Sequence, residues 1–188
     1  MAGAADAARE TAERLLADAL PMRWSHVRAV GAKAERVASI LPAADRAALV
    51  AAAWQHDIGY APDLVDSGFH PLDGARWLRG AGLDPRVARL VANHSFALVE
   101  AELRGLADAL LAEFPAERSE LADMLVYCDL TTAPDGRTLD VEERLAEITT
   151  RYGSDSVVGR FVAHAENEMI ATVRRIERRL GGAAEVVT

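Results

Sequence analysis

The amino-acid sequence predicts an all-α protein on three observations. Alanine supplies 38 of 188 residues and aromatic residues only 5%, a composition that suits packed helices and serves a β-sandwich poorly. Apolar residues recur at i, i+3, i+4 and i+7 in one segment after another. Pro and Gly punctuate those segments, and nothing reads as a strand. With 51% hydrophobic and 27% charged residues the chain is globular rather than disordered. At this length one compact domain over 1–188 is expected, and it can bury a real core.

Each element follows from local chemistry. Residues 7–20 form an amphipathic helix stopped by Pro21. Residues 24–41 form a second, with Val27, Val30, Ala34, Val37 and Leu41 on one face and Pro42 at its end. Residues 45–57 are apolar on nearly every side, which predicts a central helix. A loop runs from Gly59 to His70, and a short helix over 71–79 closes on Gly80 and Gly82. Asp84-Pro85 is an N-cap followed by proline at the first helical position, and opens a helix through Val87, Leu90, Val91 and His94. Residues 97–112 read as one helix, and 118–130 as another with Leu121, Met124, Leu125 and Cys128 inward. Pro134-Asp135-Gly136 is a turn. Asp140 with Glu143 has capping-box spacing and opens 141–152. Gly153 ends that helix, and residues 155–181 make a long last one.

Charge and cysteine content limit the partners. The 21 basic and 29 acidic residues leave a net charge of −8, which disfavours a nucleic-acid polymer or a membrane surface as partner. Lys33 is the sole lysine beside 20 arginines. The one cysteine, Cys128, excludes an internal disulfide and fits a reducing, cytoplasmic compartment. Asp6, Arg9, Glu10, Glu13 and Arg14 interrupt any signal-peptide pattern, and the longest apolar run, Ala47 to Trp54, is too short to span a bilayer. Arg174, Arg175, Arg178 and Arg179 read as residues that complement the dipole of the last helix.

The chemistry lies in ionisable residues placed where a core belongs. His56-Asp57 ends the central helix, and one turn back sit Ala52, Ala53 and Trp54, so both side chains follow its buried part. An ionised carboxylate there costs several kcal/mol, in order of magnitude, unless a cation pairs with it, and no Lys or Arg lies within a turn. His94 ends the Val87/Leu90/Val91 face, Asp129 lies one turn beyond Leu125, and His26 precedes Val30 by one turn. His70 adds a ligand-capable group at the lip of a loop. One histidine on an apolar face is ordinarily a core residue holding a hydrogen bond. The ordered set of His, His-Asp, His, His and Asp is different, because His and Asp together are the ligands of Zn, Mn and Fe. His164, among Glu166 and Glu168, reads as solvated.

At these residues the sequence resembles the HD superfamily of metal-dependent phosphohydrolases, defined by a spaced His, an adjacent His-Asp pair and a later Asp. Here those are His26, His56-Asp57 and Asp129, at separations of 30 and 72 residues, and the resemblance covers about residues 20–152. It implies an all-α helical bundle. Two-metal members insert two further histidines, and His70 in FHPLDGARWL and His94 in LVANHS occupy those places. The first phrase resembles the His-x-x-x-Gly-Ala segment of binuclear members such as the symmetric diadenosine-tetraphosphatase group. The resemblance therefore implies one metal on His26, His56, Asp57 and Asp129. It implies a second on His70 and His94, with Asp57 bridging and orienting the nucleophile as the catalytic residue. Two divalent transition metals are implied, Fe or Mn first, with Mg, Zn, Co and Ni as alternatives. Many relatives have Lys three residues after the Asp, and the 5′-deoxynucleotidase group has Glu there; this chain has Tyr60. The tract DLTTAPDG differs from the diadenosine-tetraphosphatase group's Asp-x-x-Glu-Pro, so the metal site carries over and a substrate does not.

The activity so implied is hydrolysis of a phosphate ester or anhydride, of a nucleotide or another small phosphorylated metabolite, by a metal-activated water. Developing phosphoryl charge needs cationic support, for which Arg23, Arg28 and Arg76 are candidates, with Ser95 and Thr131 as neutral donors. Mixed-valent di-iron oxygenases share this ligand order, but they tend to carry Lys shortly after the fourth His, and SFALVEAELR has none. A non-catalytic nucleotide or metal sensor is the third reading; loss of a ligand would be its sign, and all six are present. The resemblance leaves room for a homodimer.

Overall fold

The computed structural model describes residues 2–185. They form α1 (Ala2–Leu16), α2 (Pro21–Val37), α3 (Ala43–Gln55), α4 (His70–Gly80), α5 (Pro85–Asn93), α6 (Ala97–Arg104), α7 (Ala107–Glu113), α8 (Glu120–Leu130), α9 (Val141–Tyr152) and α10 (Val157–Glu185). Among the described residues there is no strand; β pairing is limited to an isolated bridge between Thr132 and Thr138. No helix among them is long and apolar enough to cross a membrane. The chain is all-α, as its composition and spacing predict.

Several helix ends differ from the sequence reading, among them α1 ending at Leu16 and α2 at Val37, and two of the differences have a plain local cause. Pro21 starts α2 instead of stopping the helix before it, because the fixed φ and missing N–H of proline suit a first helical position. The segment 97–112 is two helices, split where Gly105 takes φ 71° and ends α6. The expected caps form: Asp84 accepts from the Arg86 amide (2.8 Å), and Asp140 from the Glu142 amide (3.0 Å). Each such cap is worth about 1 kcal/mol.

Helix α3 is central, buried from Ala48 to Gln55 and flanked by α1, α2, α5 and α8. Its approach to α2 depends on Gly31, where a Cβ would lie 2.4 Å from the Trp54 ring. Two apolar clusters result. The larger runs through α1 to α8 and includes Val27, Leu49, Leu72, Val91 and Leu125. The smaller joins α8, α9 and α10 through Leu130, Leu145, Phe161 and Met169. Helix α8 belongs to both, with Leu125 facing one and Leu130 the other. Asp129 therefore sits at the seam.

Arginines on α10 tie it to its neighbours. Arg174 meets Asp140 and Glu142, Arg175 meets Asp123, and Arg179 meets Glu120. Because α10 continues to Glu185, these side chains bridge helices instead of complementing its end.

Candidate metal centre

Five segments deliver six ligand-capable side chains to one place. His26 comes from α2, His56 and Asp57 from the end of α3, His70 from the start of α4, His94 from the end of α5 and Asp129 from α8. Their ligand atoms form two tight groups, His26/His56/Asp129 and Asp57/His70/His94, each with all atoms within 4.8 Å of one another. Asp57 also reaches the first group. Its Oδ2 lies 3.4 Å from His56 Nε2 and 3.9 Å from His26 Nε2, while its Oδ1 lies 3.2 Å from His70 Nε2 and 3.9 Å from His94 Nε2. One carboxylate thus turns one oxygen to each group. Asp129 Oδ1 lies 3.0 Å from His26 Nε2 and 3.8 Å from His56 Nε2.

Backbone carbonyls orient three of the imidazoles. His26 Nδ1 is 3.2 Å from the Ala133 oxygen, His56 Nδ1 is 2.9 Å from that of Ala53, and His94 Nδ1 is 2.6 Å from that of Val91. With a metal bound, a proton on each Nδ1 would satisfy the carbonyl and leave the Nε2 lone pair to the metal. That is the arrangement by which metal-binding histidines fix their tautomer. His56 Nε2 is buried with no hydrogen-bond partner. A buried orphan of this kind costs about 1–3 kcal/mol, and a cation on the lone pair removes that cost. The donor set and this orphaned nitrogen fit divalent metals.

The charges agree. Burial alone would raise the Asp57 carboxyl, but Arg23, His56 and His70 reverse this and hold it well below the usual carboxylate range. For Asp129, burial is likewise outweighed, by the His26 hydrogen bond and the nearby His56 charge. Burial opposes charge on His56 too, yet Asp57 and Asp129 push its pKa up to about 9. Burial, then His70 and His56, push that of His94 down to about 4. Two buried carboxylates stay ionised and draw positive charge into the centre.

Local backbone features make the geometry. Gly59 lies against the first turn of α4: a Cβ there would be 2.0 Å from the His70 carbonyl oxygen. After His94 the chain turns through Ser95 (φ 47°) and Phe96 (φ 64°), non-glycine residues held at a cost of order 1–3 kcal/mol each. That turn lets the Ser95 hydroxyl donate to Asp129 Oδ2. Tyr60, where many relatives have lysine, is a wedge. Its ring stacks on His70 at 4.0 Å, and the Arg23 guanidinium lies 4.0 Å from its centre while donating to Asp57 Oδ2 at 2.7 Å.

A cavity of about 80 Å³ opens on this centre, with Arg23, Asp57, His70, His94, Ser95 and Asp129 among its lining residues. The other expected substrate contacts lie elsewhere. Arg28 is exposed and lines neither this cavity nor the outer one described below. Arg76 is turned away by Glu113 and Asp66. Thr131 is buried outside the cavity lining, where its carbonyl and hydroxyl oxygens each accept from Lys33 Nζ at 2.7 Å. His164 is exposed and apart from the centre.

Sequence reasoning missed Lys33, Arg144, Arg151 and Tyr152. Lys33 lies two turns from His26 on the same face of α2 and, with Ala133, fastens the tract after Asp129 onto that helix. Arg144 shares a face with Val141 and Ile148, the same polar-on-apolar signal that marks the ligand-capable residues. With Arg151 and Tyr152 it lines the cavity from α9.

Comparison with known proteins gives one match. The HD domain family model covers residues 23–145, from Arg23 beside Asp57 to Leu145 of α9, and takes in all six ligand-capable residues. Searches of curated proteins and of solved structures found no match. The motif order, the helical fold and this match over well over half of the sequence agree: the chain belongs to the HD domain family.

Proposed function

We propose that the protein is a metal-dependent phosphohydrolase with a binuclear centre, acting on the phosphate ester or anhydride of a small phosphorylated metabolite. The observation that carries this reading is Asp57, whose two carboxylate oxygens face two separate ligand groups. His26, His56 and Asp129 would hold one metal, His70 and His94 the other, and Asp57 would bridge. Iron or manganese fits a donor set rich in imidazole and carboxylate. When bound, such cations polarise a phosphoryl oxygen and lower the pKa of a water from about 15.7 toward ~7.

Hydrolysis joins a water oxygen to phosphorus, breaks the P–O bond to the leaving group and passes a water proton to the leaving oxygen. Asp57 and Asp129 remain ionised, so they accept hydrogen bonds and orient the water without donating protons. Arg23 and Tyr60 hold Asp57 and His70 in register. Ser95 fixes the second oxygen of Asp129.

The test is anaerobic purification, metal counting and assay against phosphomonoesters, dinucleotides and cyclic nucleotides. Two transition metals per chain are expected, falling to about one in His70→Ala and His94→Ala. Fewer than one metal in the wild type, unaltered by those changes, would sink the binuclear reading. Dioxygen consumption with a mixed-valent iron signal, and no phosphate release, would replace hydrolysis with oxygenation.

A further inference from the structure

We propose that Arg144 and Arg151 are the anion-recognition pair of this site, the groups that receive the phosphoryl oxygens of the substrate. The inference rests on the hydrolase reading for the identity of the anion, though not for its binding.

The pair stands at a boundary. The inner cavity of about 80 Å³ reaches Asp57, His70, His94 and Asp129. An outer cavity of about 410 Å³ is lined by Leu20, Pro21, Met22 and Pro134, among others. Arg23, Tyr60, Arg144 and Arg151 line both. A molecule passing from solvent to the centre meets these four side chains.

Of the arginines in that shared wall, Arg23 is committed to Asp57 at 2.7 Å. Arg144 and Arg151 instead share one carboxylate, that of Glu147. Arg144 is only 4% exposed, and its Nε has no hydrogen-bond partner. A buried guanidinium N–H left empty is costly, and an oxyanion would fill it. Arg151 lies two turns along the same face of α9, its Nε 3.2 Å from Glu147 Oε1, while Arg144 pairs with the other oxygen of Glu147. One carboxylate thus orients two guanidiniums and neutralises only one of them. Glu100, the other acidic residue of the inner cavity besides Asp57 and Asp129, is engaged by Arg104 at 2.7 Å. The wall keeps one uncompensated positive charge facing the centre, which matches a phosphoryl group.

Titration of inorganic phosphate into the metal-loaded full chain tests the pair without turnover. Arg151→Gln and Arg144→Gln should each weaken phosphate at least ~10-fold, the scale of one lost charge-assisted contact, with metal content unchanged. Arg151→Lys should recover part of the loss. Arg151 is one-third exposed, so its variants keep the test open should Arg144→Gln fail to fold. Phosphate affinity within twofold of wild type in Arg151→Gln and in folded Arg144→Gln would overturn the pair, as would a wild type that binds no phosphate. A wild type that hydrolyses no ester, yet loses phosphate affinity in the arginine variants, would overturn the hydrolase reading while supporting this one.

Discussion

The two walls of the cavity are built by opposite means. On the metal-facing wall the polar groups are short, buried and held by the backbone: carbonyls of Ala133, Ala53 and Val91 fix three imidazoles, and Asp57 is 3% exposed. On the α9 wall they are long arginines held by a side chain, Glu147, and Arg151 is 34% exposed. Short, backbone-anchored groups suit a centre whose geometry must be met to a fraction of an ångström. Long guanidiniums on one surface helix can follow a ligand into place. The metal wall should therefore control whether chemistry happens, and the α9 wall what is accepted.

Substitutions on the two walls should separate along that line. Asp57→Ala removes the carboxylate that faces both ligand groups. It should cut activity by more than ~100-fold, beyond the range typical of outer-shell changes, and lower the metal count. Arg151→Gln should instead raise KM with metal content intact. Steady-state kinetics alongside metal analysis checks both; a metal count lowered equally by the two variants would erase the distinction.

Gly59→Ala attacks the metal wall through packing. The new Cβ would meet the His70 carbonyl at 2.0 Å and the Gly74 nitrogen at 2.6 Å, both backbone atoms that cannot rotate aside. A loss of about 1–3 kcal/mol or more in urea unfolding is expected, with His70 and its metal displaced first. Ser95→Ala is milder. It deletes the hydroxyl on Asp129 and should weaken metal binding by about 10-fold, the low end for a supporting residue, in a competition titration with a chelating dye.

Lys33 gives an effect that depends on pH. Burial lowers its pKa from 10.5 to about 8, so the unfolded chain holds the proton more tightly. Folding is penalised fully below pH 8, and the penalty fades as pH rises from about 8 to 10.5. Relative to Lys33→Met, the wild type should gain stability across that window. A flat difference between their denaturation midpoints would mean the ammonium is not desolvated.

The same contrast explains what could be read in advance. Asp57 and Asp129 announce themselves because a carboxylate on an apolar helix face needs a cation, and no local Lys or Arg supplies one. Arg144 sits on an apolar face as well, between Val141 and Ile148, but an arginine there is unremarkable because its long stem lets the charge escape to water. Arg76, near the motif, reads as available to a phosphoryl group, yet the fold brings Glu113 to 2.5 Å from it. Tyr60, a departure from the family pattern, acquires its role only when Arg23 and His70 arrive on either face of its ring.

The sequence by itself determined the all-α class and the ligand-capable residues with their order, because helical periodicity and the cost of buried charge are local properties. The tertiary structure alone decided which oxygen of Asp57 faces which histidines, how Lys33 and Ala133 lock the tract after Asp129, and which arginines meet the cavity. Those depend on helix packing between residues up to about 110 positions apart, such as Ser25 and Asp135. The reach of an arginine or the bite of a carboxylate is set by such neighbours, and no sequence window contains them.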